Sequence, residues 1–197
     1  MRFFSAIIRA VLASVTLATL VGCAHPINIG GDTRPERIES ELIQKKVAYA
    51  ISETQRNTAF VSPAGGGDSV RYFPYRDLEK TIRDALRSVY QDVTLIAAPS
   101  DTQAVEAARA ALIFIPEIKT DSGSSSVLTW PPTYFVTEIA CVVTDANGNE
   151  IGRVKASARG EAEFSEFLDD FGLAAKRAAT QVAQQLSSEI RKNEKLR

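Results

Sequence analysis

Residues 62–80, SPAGGGDSVRYFPYRDLEK, hold the densest set of chemically capable side chains in this protein. Three consecutive glycines and an acid precede a run in which Arg71, Tyr72, Phe73, Tyr75 and Arg76 interleave charge with aromatic rings. Glycine-rich turns ahead of a helix hold phosphate through backbone N–H groups and the positive end of the helix dipole. A P-loop also needs a lysine and a Ser/Thr after its last glycine, Gly-x-x-x-x-Gly-Lys-Ser/Thr. Here Gly67 is followed by Asp68 and Ser69, and the dinucleotide pattern Gly-x-Gly-x-x-Gly fails at Val70. Asp68 would sit where phosphate charge must go. Asp77 and Glu79, in the first turn of the expected helix, already complement its dipole. No nucleotide and no cofactor are expected here.

The arginine-aromatic run has two readings. Arg71, Tyr72, Tyr75 and Arg76 could stack on sugars or supply the residue types that dominate protein interfaces. Alternatively, Phe73 and one tyrosine pack inward while the arginines pair with Asp68, Asp77 or Glu79. Trp130, the single tryptophan, stands before Pro131-Pro132, which hold it on an extended backbone. It either projects into a partner or covers an open sheet end. The carboxylates of EAEFSEFLDD, with Glu161 and Glu163 on a strand end and Asp169 and Asp170 on a helix, read as a solvated face rather than an acid/base pair. DANGNE is too short for a calcium loop.

Nucleophilic and metal chemistry lack their parts. No Gly-x-Ser-x-Gly occurs, and the one histidine, His25, reads as part of the tether, so no Ser-His-Asp triad is expected within the domain. One histidine and two cysteines do not make a zinc site. Cys141, inside the apolar run FVTEIACVVTD, reads as a small buried hydrophobe. The chain is therefore expected to be a non-enzyme with no bound metal.

The amino terminus carries the most specific signal. Arg2 and Arg9 precede an uncharged run from Ala10 to Val21 that ends in Leu20-Val21-Gly22-Cys23. Twelve residues are too few to span a hydrocarbon core of about 30 Å, which takes roughly 20, so residues 1–22 read as a cleaved export signal. The tetrapeptide resembles the bacterial lipobox. That resemblance implies a diacylglyceryl thioether on Cys23 and an acylated amine, an essentially permanent anchor at about 0.8 kcal/mol per buried CH₂. Ala24 after the cysteine, rather than aspartate, favours the outer membrane, with the domain facing the periplasm. Removing residues 1–22 takes two arginines and no acid, moving the formal charge from −1 to −3. Such a body lacks the basic footprint of a nucleic-acid binder.

The elements that must position these residues follow from periodicity. Residues 23–35 read as the lipidated cysteine and a tether, and 36–197 as one domain. KKVAYAIS alternates as a first strand, followed by a long connection holding the glycine motif. Leu78, Ile82, Leu86 and Val89 share one helical face; DVTLIA is a strand, PSDTQAVEAARA a short helix, and ALIFIPEIKT a strand that Pro116 places at an edge or bulge. Asn147-Gly148 joins TYFVTEIACVVTD to EIGRVKASARG as a hairpin. Phe164, Phe167, Phe171, Ala174, Ala178, Val182, Leu186 and Ile190 form the stripe of a long closing helix, with RKNEKLR as its solvated end. The fold class is α/β (α+β), a mixed sheet in the order β-α-β-α-β-β-β-α with helices packed on it.

This layout, with VAYAIS, LEKTIRDALRSVY, VTLIA, IFIPEI, the DANGNEIG hairpin and an alanine-rich last helix, resembles the envelope lipoproteins built like the TolB amino-terminal domain. The curli-secretion and Pel lipoproteins are of this class, and LptE-like and YajG-like lipoproteins share much of the outline. The resemblance implies an assembly, scaffold or accessory subunit that binds an envelope protein or further copies of itself. Its contacts are expected in residues 62–76 and 122–133. A glycan- or lipid-binding module using Tyr72, Tyr75, Arg76 and Trp130 is the alternative.

Overall fold

The computed structural model describes residues 24–65, 68–124, 131–166 and 169–197. The expected export signal of residues 1–22, Cys23, Gly66, Gly67, Trp130 and Phe167 lie outside them. The element order is β1 (His25–Pro26), β2 (Ile43–Ala50), α1 (Glu53–Asn57), β3 (Phe60–Pro63), β4 (Ser69–Tyr72), α2 (Pro74–Asp77), α3 (Glu79–Arg87), β5 (Tyr90–Ile96), α4 (Thr102–Ala108), β6 (Leu112–Gly123), β7 (Tyr134–Thr144), β8 (Glu150–Glu161) and α5 (Leu173–Lys192).

Five strands form the main sheet, in the order β5-β2-β6-β7-β8. β2 runs parallel to β5 and β6, while β6, β7 and β8 form an antiparallel meander. This is the mixed sheet that the two helix-bearing crossovers and the hairpin imply. Alternation in β2 sends Val47 and Tyr49 to one face, under α3 and α5, and Ala48 and Ala50 to the other, under α4. Pro116 lies beyond Phe114, the last β6 residue paired to β2. From there on β6 pairs only with β7, so the missing proline N–H is tolerated. Between β7 and β8 the Asp145 carboxylate accepts from the backbone N–H of Asn147 and Asn149 at 2.8 and 2.9 Å, and Gly148 takes φ +86°.

α5 packs along β8 through small residues. Ala174, Ala178, Val182, Leu186 and Ile190 are buried, the last three in one core cluster with Ala156 and Ala158 of β8. A methyl group at Gly160 would overlap the Ala174 carbonyl and lie 2.5 Å from the Ala178 nitrogen. The helix begins at Leu173, later than the phenylalanine stripe suggests: Phe164 sits in a separate 3₁₀ turn and Phe171 is exposed. The tail after α5 is docked rather than solvated. Leu196 is fully buried, and its carbonyl accepts from the Tyr90 hydroxyl at 3.0 Å.

A second sheet of three short strands, in the order β1-β4-β3, lies within what reads as a loop and a tether. β3 and β4 are an antiparallel hairpin, and β1 runs parallel to β4. α1 precedes the hairpin; the Ser52 hydroxyl accepts from Gln55 N–H while the Gln55 side chain accepts from Ser52 N–H, a reciprocal cap.

The expected tether is part of the fold. Residues 29, 31, 33 and 35 are buried in alternation with exposed or half-exposed neighbours. Methyl groups at Gly30 and Gly31 would strike the carbonyls of Asp77 and Lys176, so the chain is wedged between the end of α2 and the side of α5. Further along, the Thr33 hydroxyl donates to Asp84 at 3.0 Å and Arg191 donates to the Glu36 carbonyl at 3.0 Å. Between Glu36 and β2 the chain forms a single 3₁₀ turn, Glu39–Glu41.

Candidate functional site

The arginine-aromatic run spans β4 and α2, and alternation along β4 decides which side chains reach solvent. Val70 and Tyr72 point inward. Tyr72, 1% exposed, exchanges a 2.7 Å hydrogen bond with Thr120 and packs edge-on against Phe135 at 5.3 Å. Burial pushes its phenol above the ordinary range. Tyr72 is therefore core and is removed as a contact residue. Tyr75 is half-buried, and its hydroxyl accepts from the Ile118 N–H at 3.4 Å.

Arg71 and Arg76 remain at the surface, and both guanidinium groups lie over Phe73, at 5.4 and 3.8 Å from the ring centroid. Asp77 closes the cluster, accepting from Arg76 at 3.3 Å and from the Phe73 N–H at 3.1 Å. The helix terminus that a phosphate would need thus already has its carboxylate. What the cluster presents outward is cationic and aromatic.

The structure joins the two regions expected to make contacts. Ser62 and Ser122 share a 2.6 Å hydroxyl-hydroxyl bond, and Ser122 also donates to the Pro63 carbonyl at 2.6 Å. With Tyr72 on Thr120 and Tyr75 on Ile118, the hairpin is laid along the carboxyl-terminal half of β6. The β6–β7 connection, which contains Trp130, therefore leaves β6 beside Pro63. β1 lies at the same end, with His25 3.7 Å from Asp68 across β4. Sequence periodicity misses this convergence because the small strands are too short to show a period.

The acidic segment does not converge on a reactive centre. Beside the ends of β7 and β8 a pocket of about 450 Å³ is lined by Tyr134, Arg159, Glu161, Glu163, Glu166 and Arg177. Arg159 pairs with Glu161 at 2.8 Å and stacks on Tyr134 at 4.1 Å. Arg177 grips Glu166 through both terminal nitrogens, at 2.6 and 3.0 Å, and holds its carboxyl down at about 2. Asp170 lies before α5 rather than on it, bound to Lys176 at 2.7 Å and accepting from Gly172 N–H at 3.0 Å. Cys141 is buried in β7, where burial pushes its thiol up to about 12, as expected for a structural cysteine. Among the described residues no group of three or more His, Cys, Asp and Glu side chains could hold a metal ion.

A shallow groove of about 520 Å³ follows the outer edge of β5, bounded by Thr94 and Leu95 and by Ala104 and Ala107 of α4. Lys46 and Asp92 pair at 3.4 Å beside it, placing charge on an otherwise available edge. No helix among the described residues is long and apolar enough to cross a membrane.

No family model and no curated protein matches this chain. Among solved structures, it shares its fold with protein XCC0632 from Xanthomonas campestris, of the family model DUF330, with a TM-score of 0.53. The two are 11% identical, over 82% of this chain and 94% of the other. A candidate lipoprotein from Caulobacter crescentus superposes with a TM-score of 0.32 at 15% identity, over 58% of this chain and 77% of its own.

Proposed function

We propose that this protein is a lipid-anchored subunit of the bacterial envelope, carried on Cys23 at the outer membrane, that acts by binding rather than by catalysis. The observation that carries the reading is the joint between anchor and fold. The lipobox cysteine is followed by one residue, Ala24, before β1 begins. A domain attached this closely works at the membrane surface, against an envelope protein or further copies of itself. Its contact residues are Arg76 and the β6–β7 connection with Trp130, which leaves β6 beside the hairpin. The pairing of the acidic side chains with neighbouring cations and the burial of Cys141 both support a non-catalytic role. The glycan-binding alternative loses Tyr72 to the core and finds the Tyr75 hydroxyl engaged.

Two measurements test this. Intact-mass analysis of membrane-extracted protein should find a chain starting at Cys23 with a diacylglyceryl group and an added acyl chain, and Cys23→Ser should release the protein from membranes. Crosslinking in native membranes should then capture a defined protein or a homo-oligomer, with Arg76→Glu weakening the capture. Recovery of free monomer alone, unaffected by these changes, would reject the binding role.

A further inference from the structure

We infer that the outer face of the small sheet, where Pro26, Arg71 and Val61 stand side by side, is the face laid against the phospholipid surface. It rests on the lipid-anchored reading above and adds an orientation to it. Register places the three residues in one row: Pro26 is paired with Arg71 across β1–β4, and Arg71 with Val61 across β4–β3. Directly opposed residues share a face, and all three are exposed while the next row, His25, Val70 and Ser62, turns inward at Val70 and Ser62.

Chain length limits how far this face can be from the bilayer. Successive Cα atoms are 3.8 Å apart, so Cys23 lies within about 8 Å of His25 whatever the conformation between them. β1 cannot swing out to lengthen that reach. It is paired with β4, and the residues after it are wedged between α2 and α5 with Ile29 fully buried. The surface around β1 is thus held next to the acyl chains on Cys23.

The composition of that surface matches its position. Large hydrophobic side chains exposed among the described residues are Ile38, Phe60, Val61 and Phe171. Phe60 and Val61 are on β3, at 45% and 55% exposure, and Phe171, at 46%, precedes the glycine that abuts the Asn28 carbonyl. Val61 lies on the proposed face, whereas Phe60, opposite the buried Tyr72, lies on the other face of the hairpin, and Phe171 lies beside the segment leaving β1. Arg71, over the Phe73 ring, stands between Pro26 and Val61 and complements lipid phosphates, while Val61 enters the headgroup boundary.

The test uses the full-length lipidated protein in vesicles of phosphatidylethanolamine with a minority of phosphatidylglycerol. Val61→Cys and, as reference, Asn147→Cys each receive an environment-sensitive dye. Asn147 lies past the far end of the 11-residue β7, about 35 Å from the end that the hairpin covers. A lipidated Cys23 has no free thiol, and buried Cys141 does not label, so each variant carries one dye. The expected result is a blue-shifted emission at position 61, quenched by brominated acyl chains several-fold more than at 147. Equal quenching at the two positions, or none at 61 in protein whose mass shows lipid on Cys23, overturns the orientation and leaves the anchor standing. Crosslinks from position 61 to a protein in native membranes, in place of lipid quenching, overturn it in favour of a protein occupant. Absence of lipid on Cys23 overturns the anchored reading itself, and the orientation with it.

Discussion

Gly160 and Gly148 are glycines for different reasons, and alanine at each should separate them. At Gly160 a methyl group has nowhere to go, since the α5 backbone at Ala174 and Ala178 occupies its place. Helix and sheet must part to admit it, so Gly160→Ala should cost about 3 kcal/mol or more in urea unfolding. At Gly148 the surrounding space is open but φ is +86°, so Gly148→Ala should cost only about 1 kcal/mol of backbone strain. Burial sets the alkaline limit of the fold. The Cys141 thiol is pushed from 9.0 up to about 12, and desolvation, aided by the Glu79 charge, pushes the Tyr49 phenol from 10.0 up to about 12. Between those unfolded and folded values the native state retains protons that the unfolded chain has released. Stability is then complete below pH 9 and falls as pH rises toward 12, each group adding up to about 1.4 kcal/mol per pH unit. Denaturant midpoints measured across this range should decline, less steeply in Cys141→Ala and in Tyr49→Phe. A flat midpoint between pH 8 and 11 would contradict the burial argument.

At the scale of elements, the segment from Ile27 to Pro35 behaves as a structural strip with no regular secondary structure of its own. Ile29 joins Val70, Leu78, Phe135 and the alanines of α5 in one core cluster. Ile29→Ala should therefore cost about 2–4 kcal/mol in denaturant unfolding, and limited proteolysis of the native chain should spare residues 27–35. Rapid cleavage there would mean that the strip is not docked. Nothing local in AHPINIGGDTRP announces this packing. Its contacts are glycine backbone against helix backbone, with partners such as Lys176 far along the chain. The main sheet is the opposite case. Val47 and Tyr49 against Ala48 and Ala50, or the alternation through β7 and β8, carry a two-residue period long enough to read, and Asn147-Gly148 marks its turn. Helix ends are less legible. α3 gives up Tyr90 to β5 because Tyr90 meets Phe114 and the Leu196 carbonyl, and tertiary packing overrides the helical period. The candidate site divides along the same line. Arg71 and Arg76 are surface residues as read, whereas burial of Tyr72 depends on Thr120 and Phe135, which no local pattern connects to it.

On the lipid-anchored reading proposed above, the whole molecule has an anchored end and a far end. Its long axis is set by β6, β7 and β8, strands of 11 or 12 residues, with the hairpin, β1 and the start of the β6–β7 connection at one end and the Asp145–Asn149 turn at the other. If Cys23 carries the proposed anchor, only one residue separates it from β1, so orientation should come chiefly from the short joint, with Val61 and Arg71 adding a smaller preference. A spacer separates the two contributions. About 15 Gly/Ser residues inserted after Ala24 behave as a coil with an end-to-end distance of roughly 20 Å, enough to let the domain turn. The inserted protein should keep its lipid and its thermal midpoint, because β1 and the strip after it are unchanged. The quenching difference between positions 61 and 147 should shrink several-fold, and crosslinking to any envelope partner should fall with it. If the difference survives the spacer intact, the lipid affinity of the hairpin face, rather than the length of the joint, sets the orientation. Arg71→Glu in the spaced protein, with the dye still at position 61, should then abolish it.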